Sequence, residues 1–299
     1  MQALMACRLI PLDKSPGVRP IGIGEVLRRI IGKAVMAIVK PDIVSAAGFS
    51  QLCAGQEAGV EVAVHAAVDL YESDDTEGFI QIDANNAFNS INRSMLLHNI
   101  NMVCPEISLY IKNCYQIPAR LFICGGKEIP SSEGTTQGDP VAMAMYATGL
   151  MPLLTTVMSS QEGSSLIQVA FTDDLTGIGK LKDLKTWWDS ILKFGPYLGY
   201  DVNENKSWLI DEEPYAQTAK TLFQDSAIKL TSERHRHLGA IVGTVENKGT
   251  YVGEKVQLWV SQVKNLSQIA TTQPHAAFTA FIHGLRHRFT FLMCTVPDI

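Results

Sequence analysis

The sequence predicts an α+β fold, because helical segments and short strands are both present without the strict alternation of a doubly wound sheet. The helical segments repeat apolar residues every three to four positions, whereas the strands are short apolar runs bounded by turn residues. One such run, residues 166–171, leads directly through Asp173 and Asp174 into a second run, 175–178. This pattern predicts a β-hairpin with the two aspartates at its tip.

The first half of the chain is predicted to contain mostly helices. An amphipathic helix over residues 25–40 places Arg28, Arg29 and Lys33 on its polar face and ends at Pro41. Further segments with helical or strand patterns are a helix over 55–71, a strand over 79–83, helices over 86–101 and 107–116, and a diglycine hairpin over 121–130.

The second half begins with a long apolar helix that Asp139 and Pro140 introduce as N-cap and first helical residue. It is followed by the Asp-Asp hairpin. The remaining predicted elements are a helix through Trp187 to Phe194, a strand over 206–210, short strands over 227–230 and 238–242, and a mainly helical segment over 256–291.

Composition limits the kind of protein without identifying its ligand. The formal net charge of −5 is the wrong sign for a generic nucleic-acid binder, but residues 1–40 carry seven Lys or Arg against two acidic residues. This basic amino-terminal region is therefore more informative than the total. The six cysteines include no C-x-x-C pair, which argues against a zinc site or a disulfide framework.

The sequence also lacks the signals that direct a chain to a membrane or out of the cell. No apolar run approaches the roughly 20 residues that span a bilayer, and the first twelve residues do not form a signal peptide. We therefore expect an intracellular protein, nuclear or cytoplasmic, that does not bind membranes. Its oligomeric state is not indicated.

The chemistry depends on a third carboxylate. Two aspartates in a tight turn ordinarily serve only as turn residues, but Asp83 ends another apolar strand, residues 79–82. If the two strands are neighbours, three carboxylates meet at one sheet edge and repel one another unless a cation neutralises them. A site that offers oxygen ligands and leaves some coordination positions vacant suits Mg²⁺. Two such ions could hold both the attacking and the leaving oxygen of an in-line phosphoryl transfer.

Six sequence motifs follow one another along the chain. They are LDKSPGVRPIG at 12–22, QIDANNAF at 81–88, GTTQGDP at 134–140, FTDD at 171–174, GYDVNENKS at 199–207 and HLG at 237–239. Through these motifs and their order, the chain resembles reverse transcriptases from about Leu9 to Val242. The QGDP form is more similar to enzymes of non-long-terminal-repeat elements and group II introns than to retroviral ones.

The resemblance implies a role for each matching residue. Asp83, Asp173 and Asp174 would be the catalytic residues and bind two Mg²⁺ ions, which Mn²⁺ could replace. Phe88 would exclude a 2′-hydroxyl from the incoming nucleotide. The other implied site residues are Lys14, Arg19 and Lys206 for the triphosphate, Gln137 and Gly138 for template and nucleotide, and Phe171, Thr172, Leu238 and Gly239 for the primer.

The sequence departs from the family pattern at two positions beside the aspartates. Phe171 replaces the usual tyrosine, and Thr172 stands where a small or apolar residue is common. Neither change removes a metal ligand. Only residues 251–299 remain for a thumb, and the chain starts abruptly at the fingers, so we expect a fragment of a larger polyprotein.

The family fold would be a polymerase right hand, with an antiparallel palm sheet, helices packed on one face, fingers and a partial thumb. The expected regions are fingers over 1–78, palm over 79–118, a fingers/palm hairpin and template-positioning loop over 119–138, palm with the FTDD hairpin and primer grip over 139–245, and a partial thumb or connection over 246–299.

The implied function is RNA-directed DNA polymerisation by a retrotransposable element. The partners would be an RNA or DNA template, a DNA or RNA primer and deoxynucleoside triphosphates. Two alternatives stay open. One is an inactive or domesticated relative that only binds nucleic acid, and the other is an RNA-dependent RNA polymerase, against which Phe88 argues.

Overall fold

The strands of the residues that the structure describes form three sheets. The computed structural model describes residues 2–14, 17–161, 163–243 and 245–296. The strands are β1 (Cys7–Asp13), β2 (Val18–Gly24), β3 (Gly78–Ile82), β4 (Ala119–Phe122), β5 (Glu128–Ser131), β6 (Ile167–Phe171), β7 (Asp174–Gly179), β8 (Trp208–Asp211), β9 (Lys229–Thr231), β10 (Arg234–His237) and β11 (Ala240–Gly243).

The helices surround these sheets and fill most of the remaining chain. They are α1 (Gln2–Met5), α2 (Val26–Ala47), α3 (Gly59–Tyr71), α4 (Ala87–Ser90), α5 (Arg93–Val103), α6 (Pro105–Tyr115), α7 (Ala142–Ser159), α8 (Leu181–Leu198), α9 (Ala216–Leu222), α10 (Val245–Ala270), α11 (Pro274–Ala280) and α12 (Arg286–Thr295). A π-helical turn, Phe281–Leu285, joins α11 to α12.

The central sheet has five strands in the order β6-β7-β3-β8-β9. All neighbours are antiparallel except β8 and β9, which run parallel. A second sheet has the order β2-β1-β4-β5, and β10 and β11 form a separate two-stranded hairpin. Because β6 and β7 are joined by a two-residue turn, the predicted Asp-Asp hairpin is present and lies next to β3.

The largest core lies between the central sheet and the helices on one of its faces. Ile80, Ile82 and Leu175 point to this face and pack with α5, α7 and α8, whose Trp187 and Trp188 are fully buried. Residues of opposite parity point the other way, as strand geometry requires. Among them Phe79 and Ile178 pack against α3 and β11, so the second face is covered at the end away from the aspartates.

Two sequence-based expectations for α2 are wrong. The helix does not end at Pro41 but continues to Ala47, because Ile43 and Ala47 extend its buried face and tertiary packing outweighs the lost hydrogen bond. Arg28 does not lie on a solvated face. It is 3% exposed and forms an ion pair with Asp139.

Within the described residues, α7 is long and apolar enough to cross a membrane by length and composition. Most of this helix is buried inside the fold, where it packs against α5 and α8. A buried core helix of an ordinary domain meets the same criteria, so this feature is weak support for membrane insertion.

Candidate active site

The sheet register places the three predicted aspartates at one edge. Phe171 pairs with Asp174 across the hairpin, and Ile82 pairs with Leu175 between β3 and β7. The next residues along these two strands are Asp83 and Asp174, which therefore lie side by side. Thr172 and Asp173 form the turn, so Asp174 is the first residue of β7 rather than part of the tip.

Backbone hydrogen bonds fix the position of Asp83. Its N–H donates to Ser207 Oγ at 3.1 Å, and its carbonyl accepts from Asn203 N–H at 2.8 Å. Beyond Asp83, Ala84 forms an antiparallel bridge with Val202. Residues 201–203 therefore act as an additional strand-like partner that directs the chain after β3.

Burial and nearby negative charge make Asp173 and Asp174 hard to ionise. Burial raises the pKa of Asp174 to about 7, with further increases from the negative charges of Asp173 and Asp83. The pKa of Asp173 is also raised, chiefly by burial, although local hydrogen bonds and the charge of Arg19 oppose this. The site therefore concentrates negative charge that the surrounding protein does not neutralise.

The aspartates line a cavity of about 510 Å³ between the central sheet and the β1–β2 hairpin. Two of the predicted cations, Lys14 and Arg19, also line it. The remaining predicted residues that line it are Phe88, Gln137, Gly138 and Thr172. A cavity lined by both cations and carboxylates can accommodate a ligand that carries both phosphates and bound cations.

Close backbone contacts hold Gln137 and Gly138 against Gly22 of β2. The Gln137 carbonyl accepts from Gly22 N–H at 2.7 Å. Gly138 has a φ of +104°, and a Cβ at this position would lie 2.6 Å from the carbonyl oxygen of Gly22. Both the conformation and the space therefore require glycine at 138.

Phe88 forms part of the cavity floor. Its ring stacks on Tyr146, with centroids 4.7 Å apart and ring planes at 20°. Tyr146 is fully buried, so Phe88 has a rigid support beneath it. Because Phe88 lines the cavity in a fixed orientation, its ring can limit the size of a ligand.

Four of the predicted residues do not line this cavity. Lys206 is exposed in a short 3-10 turn, Glu204–Lys206, next to the segment that holds Asp83. Phe171 ends β6, while Leu238 and Gly239 form the turn between β10 and β11. Gly239 lies instead at a separate cavity that also contains Arg236, Lys255 and Trp259.

The fit of divalent cations to this site can be judged from its donors. Among the described residues, no three His, Cys, Asp or Glu side chains are close enough to form a ready-made metal site. Nevertheless, burial disfavours the ionised forms of Asp173 and Asp174, and the charge of Asp83 adds to this effect. Carboxylates that are costly to ionise together fit hard cations, which would neutralise them and draw them closer.

Sequence reasoning missed two buried residues that support the hairpin. Gln51 forms hydrogen bonds to both backbone groups of Thr172, and the Tyr200 hydroxyl donates to the carbonyl of Asp173 at 2.7 Å. Both side chains are fully buried. Tyr200 follows Gly199 within a motif already noted, whereas Gln51 lies in a loop whose composition gave no signal.

Comparison with known proteins yields one family and a set of similar folds. A family model described as reverse transcriptase (RNA-dependent DNA polymerase) matches residues 12–257. A comparison with curated proteins gave no significant match.

Similar solved structures include telomerases of two yeasts. Apo telomerase from Candida tropicalis, truncated from its C-terminal domain, superposes with a TM-score of 0.60 at 11% identity, over 80% of this chain and 53% of that one. Telomerase from Candida albicans, in complex with a TWJ fragment of telomeric RNA, gives a TM-score of 0.59 at 10% identity, over 80% and 44%. The chain thus spans about half the length of these proteins, and the likeness confirms the predicted α+β right-hand fold.

Proposed function

Because the chain belongs to the reverse transcriptase family, we propose that it is an RNA-directed DNA polymerase that adds deoxynucleotides to a primer 3′-hydroxyl on an RNA or DNA template. The observation that carries this proposal is the convergence of Asp83, Asp173 and Asp174 on a cavity that Lys14 and Arg19 also line. Nucleotidyl transfer needs both features, because metal ions and a triphosphate must be held together.

Asp83, Asp173 and Asp174 would hold two Mg²⁺ ions, which Mn²⁺ could replace. When bound, such ions lower the pKa of an attacking hydroxyl and neutralise charge on the leaving pyrophosphate. The protein's own contribution is the position of the ligands. Asp83 is fixed by hydrogen bonds of its backbone to Ser207 and Asn203, and the hairpin by those of Gln51 and Tyr200.

The cations that line the cavity would bind the triphosphate. Lys14 and Arg19 belong to the β1–β2 hairpin, whose register pairs Leu12 with Arg19 and Asp13 with Val18. The turn is closed by the Lys14 N–H, which donates to the Gly17 carbonyl at 3.0 Å. Lys206 is the third candidate, and its exposed position leaves its long side chain able to reach a bound phosphate.

The other site residues would order the substrates around this centre. Phe88 would lie beneath the sugar and exclude a 2′-hydroxyl, which favours deoxynucleotides. Gln137 and Gly138 would position the template and nucleotide from their place against β2. Phe171, Thr172, Leu238 and Gly239 would support the primer end, although the structure puts Leu238 and Gly239 at the β10–β11 turn.

The biological source of the enzyme is a further part of the proposal. The QGDP sequence at 137–140 favours a retrotransposable element of the non-long-terminal-repeat or group II intron type. An RNA template accords with the telomerase neighbours, one of which binds a fragment of telomeric RNA. We also propose the regions inferred from the sequence, with fingers over 1–78 and a partial thumb or connection over 246–299.

Primer extension tests this function. A labelled DNA primer on an RNA template is incubated with deoxynucleoside triphosphates and Mg²⁺. We expect the wild-type protein to extend the primer and Asp83→Asn to slow extension on the order of a thousandfold, or about 4 kcal/mol. Asp201→Asn is the matched control, because Asp201 is exposed in the neighbouring segment.

The same assay separates the alternatives. Binding of primer–template without extension by the wild type would indicate an inactive nucleic-acid-binding relative. Preferential use of ribonucleoside triphosphates would indicate an RNA polymerase. Equal rates for Asp83→Asn and the wild type would contradict the assignment of the aspartates.

A further inference from the structure

The turn that carries the aspartates has an unfavourable backbone conformation. Thr172 has a φ of +57°, in the left-handed region that β-branched residues rarely adopt. It precedes Asp173 and Asp174 directly, so its conformation sets the direction in which β7 starts. Contacts outside the turn must hold this conformation, because a strained backbone conformation persists only when the surrounding structure stabilises it.

Gln51 supplies that constraint. Its side-chain carbonyl accepts from Thr172 N–H at 2.7 Å, and its side-chain amide donates to the Thr172 carbonyl at 2.9 Å. Gln51 is fully buried and Thr172 nearly so, which leaves water no access to replace these bonds. Rotation of Thr172 out of the left-handed region would break both.

The backbone of Gln51 is itself fixed to the same hairpin. Ala170 N–H donates to the Ser50 carbonyl at 3.1 Å, and Leu52 N–H donates to the Ala170 carbonyl at 2.8 Å. Gln51 and Ala170 thereby form a parallel bridge beside β6. The loop between α2 and α3 therefore reaches across the chain to the edge strand of the central sheet, and the amide of Gln51 is held in register with Thr172.

We propose that Gln51 is a positioning residue, which holds Thr172 in the left-handed conformation and so directs Asp173 and Asp174 toward the metal ions. The inference rests on the proposed nucleotidyl transfer. The two hydrogen bonds to Thr172 require a side chain whose end both donates and accepts. Methionine has the same length and can do neither, whereas asparagine keeps the amide but is too short to reach both groups.

The test compares Gln51→Met and Gln51→Asn with Gln56→Met. Gln56 lies in the same loop, but its amide donates to the Gly48 carbonyl at 3.2 Å and has no bond to the hairpin. If the methionine variant fails to fold, the asparagine variant, with its smaller change, provides the same comparison. Each protein is assayed for hydrogen exchange of the Thr172 amide, for Mn²⁺ affinity by electron paramagnetic resonance, and for primer extension.

We expect faster exchange at Thr172, weaker Mn²⁺ binding and a roughly tenfold to hundredfold lower kcat in the Gln51 variants, with KM for deoxynucleotides little changed. Gln56→Met should match the wild type. Unchanged exchange and Mn²⁺ affinity in folded Gln51 variants would overturn the proposal. If the wild type extends no primer, the proposed function fails, and exchange and Mn²⁺ affinity still decide the role of Gln51.

A rescue experiment separates positioning from general support of the fold. Glycine adopts the left-handed region without strain, so the hydrogen bonds from Gln51 matter less when residue 172 is glycine. We expect Gln51→Met to cost severalfold less kcat and Mn²⁺ affinity in a Thr172→Gly background than in the wild type. An equal cost in both backgrounds would show that Gln51 does not act through the conformation of residue 172.

Discussion

The three aspartates have different surroundings, and this difference is open to measurement. Burial and the charges of Asp173 and Asp83 raise the pKa of Asp174 to about 7. Carboxylates of unfolded chains titrate near 4. The stability that protonation of Asp174 gives the folded protein is therefore complete below pH 4 and is lost as the pH rises through about 7.

Replacement of Asp174 by asparagine, which does not ionise, removes this loss of stability at higher pH. We expect Asp174→Asn to abolish primer extension and, at pH 8 without divalent metal, to raise the free energy of unfolding by on the order of 1–3 kcal/mol. Thermal melts at pH 8 and pH 4.5 measure the effect, which should be smaller at the lower pH. A variant less stable than the wild type at pH 8 would contradict the burial of an uncompensated charge.

Phe88 gives a second prediction at the scale of one side chain. Its ring is held on Tyr146 at the floor of the cavity. We expect Phe88→Ala to raise the use of ribonucleotides relative to deoxynucleotides by at least about tenfold, because a removed ring no longer opposes the 2′-hydroxyl. The ratio of kcat/KM for the two substrates measures it. Phe122→Ala, on β4 away from this cavity, is the control.

At the level of elements, a buried ion pair joins α2 to the start of α7. Arg28 pairs with Asp139, whose side chain also accepts from the Tyr115 hydroxyl at 2.7 Å. Arg28 additionally donates to the carbonyl of Met5 at 3.2 Å. Asp139 immediately follows Gln137 and Gly138, so the pair anchors the segment that lines the cavity to the helix that follows β2.

Loss of Arg28 would leave Asp139 buried without its cation. We expect Arg28→Met to lower the free energy of unfolding by about 3–5 kcal/mol, the usual cost of breaking a buried pair. Arg29→Met is the matched control, because Arg29 is the next residue of the same helix and is exposed. Chemical denaturation measures the free energy of unfolding of both variants. Similar small decreases in the two would show that the ion pair is not important for stability.

The elements around the site could be predicted to different extents. The hairpin and β3 were predicted because short apolar runs ending at turn residues are typical of strands, and register then follows from a period of two. The end of α2 could not be predicted from Pro41, and the burial of Arg28 could not be predicted from helical periodicity. The burial of Arg28 depends on Asp139, which is more than a hundred positions away, and the end of α2 depends on the packing of Ile43 and Ala47 in the core.

The whole molecule is a right-hand polymerase fold in which distant loops complete the site. The aspartates, Gln137 and Gly138 were predicted as a group from motifs in order, and the structure brings them to one cavity with Lys14 and Arg19. Gln51 was missed because a glutamine in a loop has no local pattern. Only the tertiary contact between residues 50–52 and β6 reveals its role.

The carboxyl-terminal helices are tied to the rest of the fold through α3. Lys248 of α10 pairs with Glu72 at 2.5 Å, just after α3, and His65 of α3 is 2.7 Å from the carbonyl of Cys294 in α12. These contacts hold α10 and α12 beside the β10–β11 hairpin. α10 and α12 thus lie on the side of the central sheet that α3 covers.

The central claim is that Asp83, Asp173 and Asp174 together hold the metal ions of nucleotidyl transfer. Counting bound Mn²⁺ by electron paramagnetic resonance, with a primer–template and a non-hydrolysable deoxynucleotide present, tests it most directly. We expect two ions per wild-type protein and loss of at least one in Asp83→Asn, with Asp201→Asn unchanged. Equal Mn²⁺ binding by the wild type and Asp83→Asn would contradict it.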